Sequence, residues 1–270
     1  MMSDVFISEE TLDRLGKAFR ASYGTETLYT TEQMISLATE NRLRKLLKQE
    51  LNELTPADMQ GVTAIRKFQF QHTLGLQRVT IPNSVTSIGC DAFRDCSDLI
   101  EVVIPDSVTS TEWSTFQGCS SLQSAVIGNG VTTIGSSDFE SCTSLTQVVI
   151  GSGVTTLETS AFRGCTSLAQ ITIPDNVTTL SGTVFQLCTS LVDVTVGRGV
   201  TSIGSQALAV GSEANKATLE FLCSNPPAIQ SDAFNTSYLQ KIIVPSGCSS
   251  AYKKATNWAR YADYIKEKEE

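Results

Sequence analysis

Apolar positions recur along most of the chain with a period of 23 residues. One unit runs from Val85 to Pro105 and contains phenylalanine, cysteine and leucine at fixed places. All three return over five successive units, at Phe93, Phe116, Phe139, Phe162 and Phe185; at Cys96, Cys119, Cys142, Cys165 and Cys188; and at Leu99, Leu122, Leu145, Leu168 and Leu191. Such self-similarity indicates a solenoid in which equivalent residues of successive coils stack on one another.

Each unit predicts two short strands joined by two corners. The pattern Leu-x-x-Val-x-Ile alternates apolar and polar residues and predicts one strand, and Val-Thr-x-Ile predicts the other. Proline or glycine after the first strand marks one corner, and Ala-Phe-x-x-Cys forms the second. The register begins near residue 61, continues through Val200–Ile203, passes an insertion at Gly211–Lys216, and ends in a shortened unit at Val244. We therefore predict a solenoid of about eight coils over residues 61–248.

These units resemble the BspA-like leucine-rich repeat, a bacterial type with the pattern Ile-Pro-x-x-Val-Thr-x-Ile-Gly-x-x-Ala-Phe-x-x-Cys-x-Ser-Leu. The segment Ile243–Trp258 is similar to the usual C-terminal end of that family. The resemblance covers residues 61–262 and implies a leucine-rich-repeat β-solenoid of short parallel strands, closed at residues 249–270 by a helical cap and a polar tail. It also implies adhesion or recognition, although a fold alone does not identify a ligand.

Residues 1–60 do not repeat, and they predict an α-helical segment. Ser8 can cap a helix that runs to about Tyr23, and a second helix can start at Thr30 or Thr31 and run to about Leu54. Two interpretations follow. The helices either cap the open first coil, or they dock the chain to a partner or to copies of itself.

A second resemblance concerns residues 12–34, which are similar to a short N-terminal segment of tail-associated proteins of phages and prophages. The match departs from that pattern at Phe19 and Tyr23. The stretch Met1–Phe6 lacks a basic region followed by an apolar one, which predicts no Sec signal peptide. This agrees with a virion protein assembled in the bacterial cytoplasm. The resemblance implies a phage or prophage tail component that docks through residues 1–60 and presents its repeats for host-cell binding.

The alternative is a BspA-like adhesin on a bacterial cell surface that binds a host protein or matrix. It would need an export route. Both hypotheses describe recognition without catalysis. Solution mass of the full chain would separate them, because virion docking predicts self-association and an adhesin predicts a monomer.

Composition removes several other classes. The net charge is −8 with no basic segment, so nucleic acid is not an expected partner. Mean hydropathy is −0.00 and no apolar run reaches about 18 residues, so no membrane span is expected. The single histidine, His72, removes most histidine-based metal and catalytic sites. Cysteines 23 residues apart form a line rather than a metal-binding cluster. We expect small, buried, reduced thiols, and we expect no enzyme activity and no cofactor.

The outward positions of the Leu-x-x-Val-x-Ile strands are the candidate binding residues, by analogy with the resembled family. They form two columns: Arg78, Glu101, Ser124, Gln147, Gln170 and Asp193 in one, and Thr80, Val103, Val126, Val149, Thr172 and Thr195 in the other. Such a surface suits polar or glycan contacts or flat packing against a protein, and it is equally compatible with an ordinary solvated sheet. The insertion Gly211–Lys216, together with Cys223–Pro227, is a second candidate because insertions in repeats often mark the binding face.

The second strand carries an unbroken row of threonines at the same period. Its members are Thr86, Thr109, Thr132, Thr155, Thr178 and Thr201. A row of this kind either orders water or ice, or supplies β-propensity to a solvated face, and we favour the second interpretation.

Overall fold

The chain winds into a parallel β-solenoid of about nine turns with the leucine-rich-repeat fold. The structure, a computed structural model, describes residues 52–56, 58–59 and 61–269. One strand of each turn lies on what we name the long-strand face. Its strands are β1 (Glu53–Leu54), β3 (Arg78–Thr80), β5 (Glu101–Ile104), β7 (Ser124–Ile127), β9 (Gln147–Ile150), β11 (Gln170–Ile173), β13 (Asp193–Val196), β15 (Ala217–Phe221), β17 (Leu239–Val244) and β18 (Ile265–Glu267).

The short-strand face is formed by two-residue strands that alternate with the long ones along the chain. They are β2 (Ala64–Ile65), β4 (Ser87–Ile88), β6 (Ser110–Thr111), β8 (Thr133–Ile134), β10 (Thr156–Leu157), β12 (Thr179–Leu180), β14 (Ser202–Ile203) and β16 (Ala228–Ile229). Residues one period apart pair in register, so that Glu101 lies opposite Ser124 and Thr156 lies opposite Thr179. The repeat period of the sequence is therefore the strand register of the fold.

The solenoid starts earlier than the sequence predicts. Strand β1 pairs in parallel with β3, with Glu53 opposite Arg78 and Leu54 opposite Val79. The prediction of a start near residue 61, and of a helix reaching Leu54, is therefore wrong at this boundary, and about nine turns replace the predicted eight. The other predictions for residues 1–51, including the two helices, lie outside the described residues.

The interior is built from the repeated phenylalanine and cysteine columns. Consecutive rings from Phe70 to Phe185 stack with centroids 5.0–5.4 Å apart and interplanar angles of 3–14°. Each column thiol donates to a phenylalanine carbonyl of the preceding coil, as Cys142 Sγ does to Phe116 O at 3.3 Å. Because both columns are buried throughout, each coil covers the apolar face of its neighbour, which a single coil cannot do alone.

A buried carboxylate interrupts the short-strand face between β6 and β8. In neighbouring coils the backbone N–H of Glu112 donates to Ile88 O at 3.1 Å, and that of Glu158 donates to Ile134 O at 3.0 Å. The equivalent N–H of Gly135 donates instead to Asp138 Oδ2 at 2.8 Å. A side chain thus replaces a backbone acceptor, and the face divides into β2–β4–β6 and β8–β10–β12–β14–β16.

The long-strand face divides at a different place. Within the described residues, β1–β3–β5–β7–β9 form one hydrogen-bonded sheet and β11–β13–β15–β17–β18 form another, with no ladder between β9 and β11. Val148, at an inward position of β9, is half-buried, whereas Val102 of β5 and Val194 of β13 are buried. Nothing in the side chains of the two strands explains this seam.

The C-terminal segment closes the end of the solenoid. Helix α1 (Ser249–Lys254) and a 3₁₀ helix (Ala259–Tyr261) place Tyr252, Trp258 and Tyr261 against the last coil, all buried. After them, β18 pairs with β17. The sequence assigned these last residues to a polar tail, and the structure adds Ile265–Glu267 to the sheet instead.

Candidate functional site

The two predicted columns lie side by side on the outside of the long-strand face. In the first column Ser124 is half-buried and the other members are exposed: Arg78, Glu101, Gln147, Gln170 and Asp193. In the second column Val126 and Thr195 are half-buried and the other members are exposed: Thr80, Val103, Val149 and Thr172. The alternation of inward and outward side chains along a strand places them there.

Strand register brings eight of these residues together in one block. Arg78, Glu101, Ser124 and Gln147 are consecutive register partners, as are Thr80, Val103, Val126 and Val149. In the second sheet, Gln170 pairs with Asp193 and Thr172 with Thr195. The backbone ladder breaks between β9 and β11, so these four residues and the block of eight lie on two different hydrogen-bonded sheets.

Three valines of the second column form an apolar stripe on this block of eight. Val149 is 58% exposed and Val103 is 37% exposed, with half-buried Val126 between them. Valines of neighbouring strands lie about 4.8 Å apart, so three in a row form a continuous apolar strip. Thr80 continues the column at one end, and the charged and amide residues of the first column run alongside it.

The columns extend further than the sequence predicted. Thr218 continues the column of Asp193, and Glu220 continues the column of Thr195. Glu220 Oε1 lies 2.7 Å from Lys268 Nζ. The insertion at Gly211–Lys216 shifts the register away from the 23-residue period, which hides these positions in the sequence.

The threonine row on the short-strand face uses its hydroxyls within the protein. Each Oγ1 donates to the carbonyl of the threonine one coil earlier, as Thr132 does to Thr109 O at 3.4 Å and Thr155 does to Thr132 O at 3.1 Å. The same bond occurs at Thr86, Thr109, Thr178 and Thr201. These hydroxyls link neighbouring coils, which supports the structural interpretation of the row.

The second predicted site borders two cavities. The segment that contains Gly211–Lys216 lies beside a cavity of about 450 Å³, and Cys223–Pro227 lies beside another of about 360 Å³. The insertion loop is held at its base, where Gly211 N donates to Cys188 O at 3.2 Å. At the smaller cavity, the Arg198 backbone N–H and guanidinium hold the pKa of Asp175 below its usual range.

The cysteine column is not a nucleophilic site. Burial raises the pKa of Cys96 to about 12 and raises the pKa of Cys142 as well. A thiol that stays protonated is a poor nucleophile. Cys223, to which the sequence analysis assigned no role, is also buried. Its thiol donates to Gly197 O at 3.3 Å, much as each column thiol donates to a phenylalanine carbonyl of the preceding coil.

Two features absent from the described residues bear on the class of site. Among the described residues, no group of three or more His, Cys, Asp or Glu side chains is arranged to hold a metal ion. No helix in that part of the chain is long and apolar enough to cross a membrane.

Comparison with known families fits this repeat geometry. A six-copy profile of the BspA type leucine rich repeat region matches residues 63–191 and, in a second overlapping match, residues 132–259. The chain belongs to the BspA-type leucine-rich repeat family. The predicted BspA-like resemblance is thereby confirmed. Such β-solenoids generally serve as non-catalytic scaffolds that bind proteins.

Solved structures of leucine-rich repeat proteins show a similar fold. A leucine-rich repeat protein from Eubacterium ventriosum is 28% identical, with a TM-score of 0.50, over 54% of this chain and 42% of that one. A leucine-rich repeat protein from T. pallidum is 20% identical, with a TM-score of 0.54, over 80% of this chain and 93% of that one. The chain thus spans less than half of the first of these proteins. No curated protein matches its sequence.

The phage-tail resemblance receives no support from these comparisons. Residues 12–34, on which it rests, lie outside the described residues. The BspA-type match agrees better with the alternative prediction of an adhesin-like protein.

Proposed function

We propose that this BspA-type repeat is the binding module of a bacterial cell-surface adhesin, and that it docks a host protein on its long-strand face. The observation that carries the proposal is the exposed valine stripe of Val103, Val126 and Val149, set in register on neighbouring strands. A contiguous exposed apolar strip is a candidate protein-binding surface, because covering it removes apolar area from water.

The surroundings of the stripe suit a protein partner. Stable interfaces have an apolar centre and a polar, solvent-accessible rim. Here the valines are the centre, and Thr80, Glu101 and Gln147 stand beside them. The sheet is held by main-chain ladders and stacked phenylalanines, so the surface is rigid before binding. A rigid surface loses little conformational freedom when it binds, which favours affinity.

The experiment is binding of the full chain to a panel of immobilised extracellular-matrix and epithelial surface proteins, measured by biolayer interferometry. The test variant is Val149→Lys, which places a charge at the most exposed valine of the stripe. Thr155→Lys is the matched control, because Thr155 is exposed on the short-strand face of the same coil. We expect at least one panel protein to bind, and Val149→Lys to weaken that binding by about tenfold or more, as a residue central to an interface does.

Two results contradict the proposal. One is the absence of binding to every panel protein. The other is an equal loss for Val149→Lys and Thr155→Lys, which would indicate charge repulsion by the whole protein rather than docking on one face. Protease accessibility on intact cells of the source bacterium tests the surface location separately, because a surface protein is cleaved without lysis.

A further inference from the structure

The larger cavity exists because an outer column of side chains stops. In regular coils the residue after the buried phenylalanine is long and polar, and its neighbours one coil away hydrogen-bond to it. Arg163 donates from Nη1 to Glu140 Oε1 at 2.8 Å and from Nε to Gln186 Oε1 at 2.9 Å. The next member of the column is Ala209, and beyond the insertion its equivalent is Asn235. A methyl group thus replaces a long side chain, and the cavity of about 450 Å³ borders it.

Polar groups that lack partners line this cavity. Gln206 accepts from Gln186 through Oε1, and Asn235 accepts from the Ser237 N–H through Oδ1 at 3.0 Å. Within the part of the chain that the structure describes, the Nδ2 of Asn235, the Nε2 of Gln206 and the hydroxyl of Tyr238 make no hydrogen bond. Each is therefore free to donate to a ligand, and the hydroxyl can also accept.

One wall of the cavity is apolar and strained. Leu187 is 51% exposed and has a φ of 64°. The same place is left-handed in the preceding coils as well, where it holds His72, Asp95, Gly118, Ser141 and Gly164, and Leu187 is its one large apolar residue. A left-handed conformation is unfavourable for leucine, and exposing its side chain to water adds nothing to stability. Leu187 and buried Phe234 supply the apolar surface of the cavity.

We propose that this cavity binds a neutral sugar unit of a glycan. Its volume lies within the range of small-ligand sites, about 300–1,000 Å³. Amide and hydroxyl donors suit the many oxygen atoms of a pyranose ring, and Leu187 suits its apolar face. Asp232 and Arg260 both line the cavity and carry opposite charges, so the site has no preference for a strongly charged ligand.

A peptide ligand fits less well. Extended peptides commonly bind by adding to an open strand edge, whereas this lining comes from corners and turns around the isolated bridge of Leu208 and Phe234. The sugar site is separate from the valine stripe, so it does not depend on the proposed protein docking.

The test uses the full chain on a glycan array, followed by saturation-transfer NMR with the simplest sugar that binds. The decisive variant is Ala209→Gln, since glutamine occupies the same column at Gln117 and Gln186 and should extend it into the cavity. Ala228→Gln is the matched control, because Ala228 is exposed on the short-strand face. We expect Ala209→Gln to weaken sugar binding by about tenfold or more, since it occludes the site, and Ala228→Gln to leave it unchanged.

A second variant keeps the test decisive if Ala209→Gln fails to fold. Tyr238→Phe removes one hydroxyl, and its expected loss is about threefold to tenfold, the equivalent of one hydrogen bond. The proposal is overturned if no glycan binds, if both folded variants bind like the unmodified chain, if Ala228→Gln causes an equal loss, or if short peptides compete for the site better than the sugar does.

Discussion

The repeated coils and the closing segment bury aromatic rings in opposite ways. In the repeats, Phe93, Phe116 and Phe139 lie nearly parallel, with interplanar angles of 4° and 11°. At the C-terminal end, Trp258 meets Phe221 at 80° and Tyr252 at 83°. Stacking allows another ring to be added indefinitely, whereas edge-on contacts close the column.

The same contrast holds for polar groups. In the repeats, the backbone groups of each coil form hydrogen bonds with those of the neighbouring coils. The last coil has no further neighbour, so its backbone carbonyls would lack donors. In the closing segment Trp258 Nε1 donates to Pro227 O at 2.7 Å and the Tyr252 hydroxyl donates to Cys223 O at 2.8 Å. The aromatic residues therefore cover the last coil and satisfy its carbonyls at once, which is what a solenoid end requires.

The largest expected effect is the loss of this closure. We expect Trp258→Ala to lower the free energy of unfolding by about 3–5 kcal/mol, because it leaves a large cavity and an unpaired carbonyl. Urea unfolding followed by circular dichroism measures it. The other tryptophan, Trp113, is 49% exposed, so Trp113→Ala should cost less than about 1 kcal/mol. Equal losses for the two variants would show that the closing segment is not the end cap of the solenoid.

The second largest expected effect concerns Asp138, whose side chain interrupts the regular backbone hydrogen bonding between coils. It is fully buried, and burial raises its pKa to about 6 despite hydrogen bonds from Thr111 and the N–H groups of Thr115 and Gly135. The folded state therefore takes up the proton more readily than the unfolded chain. We expect this group to add about 2–3 kcal/mol of stability as pH falls from 7 to 4, and to lose it again as pH rises through 6.

Other carboxylates act in the opposite direction, because the pKa values of Asp175 and Glu267 are lowered. The measurement is therefore a difference: urea unfolding of the unmodified chain minus Asp138→Asn at pH 7, 6, 5 and 4. A difference that does not change with pH would mean that Asp138 is not the titrating group.

How far the sequence predicted these features depended on whether a residue followed the 23-residue period. The phenylalanine and cysteine columns follow from the period alone, and the outward columns follow from the period together with the resemblance to the repeat family. Asp138 was missed, although it occupies the alanine place of Ala-Phe, where a carboxylate must be buried. Ala209 was also missed, because its only signal in the sequence is a short side chain in a column of long polar ones. The seam between β9 and β11 has no counterpart in the sequence, and β1 lies where leucine spacing favoured a helix.

A smaller effect distinguishes cysteines inside and outside the column. Cys142 is fully buried and donates to Phe116 O, whereas Cys248 is half-buried beside helix α1. We expect Cys142→Ala to cost about 1–2 kcal/mol, from one lost hydrogen bond and a small cavity. Cys248→Ala should change stability by less than about 0.5 kcal/mol. Urea midpoints of the two variants measure the difference, and a larger loss at Cys248 would contradict a purely structural role for the column.

The smallest expected effect is a gain in stability at Leu187, which lines the same cavity as Arg260 of the closing segment. Leu187→Gly should raise the free energy of unfolding by about 0.5–1 kcal/mol, because relief of the left-handed strain exceeds the added entropy of the unfolded chain. The reciprocal variant Gly164→Leu should lose about 1 kcal/mol, since Gly164 has a φ of 73° and a Cβ there would meet nothing closer than 3.6 Å, so the cost is strain rather than a clash. If Leu187→Gly instead destabilises the protein, the exposed leucine contributes packing that outweighs its strain. Leu187 would then be retained for packing rather than for a ligand.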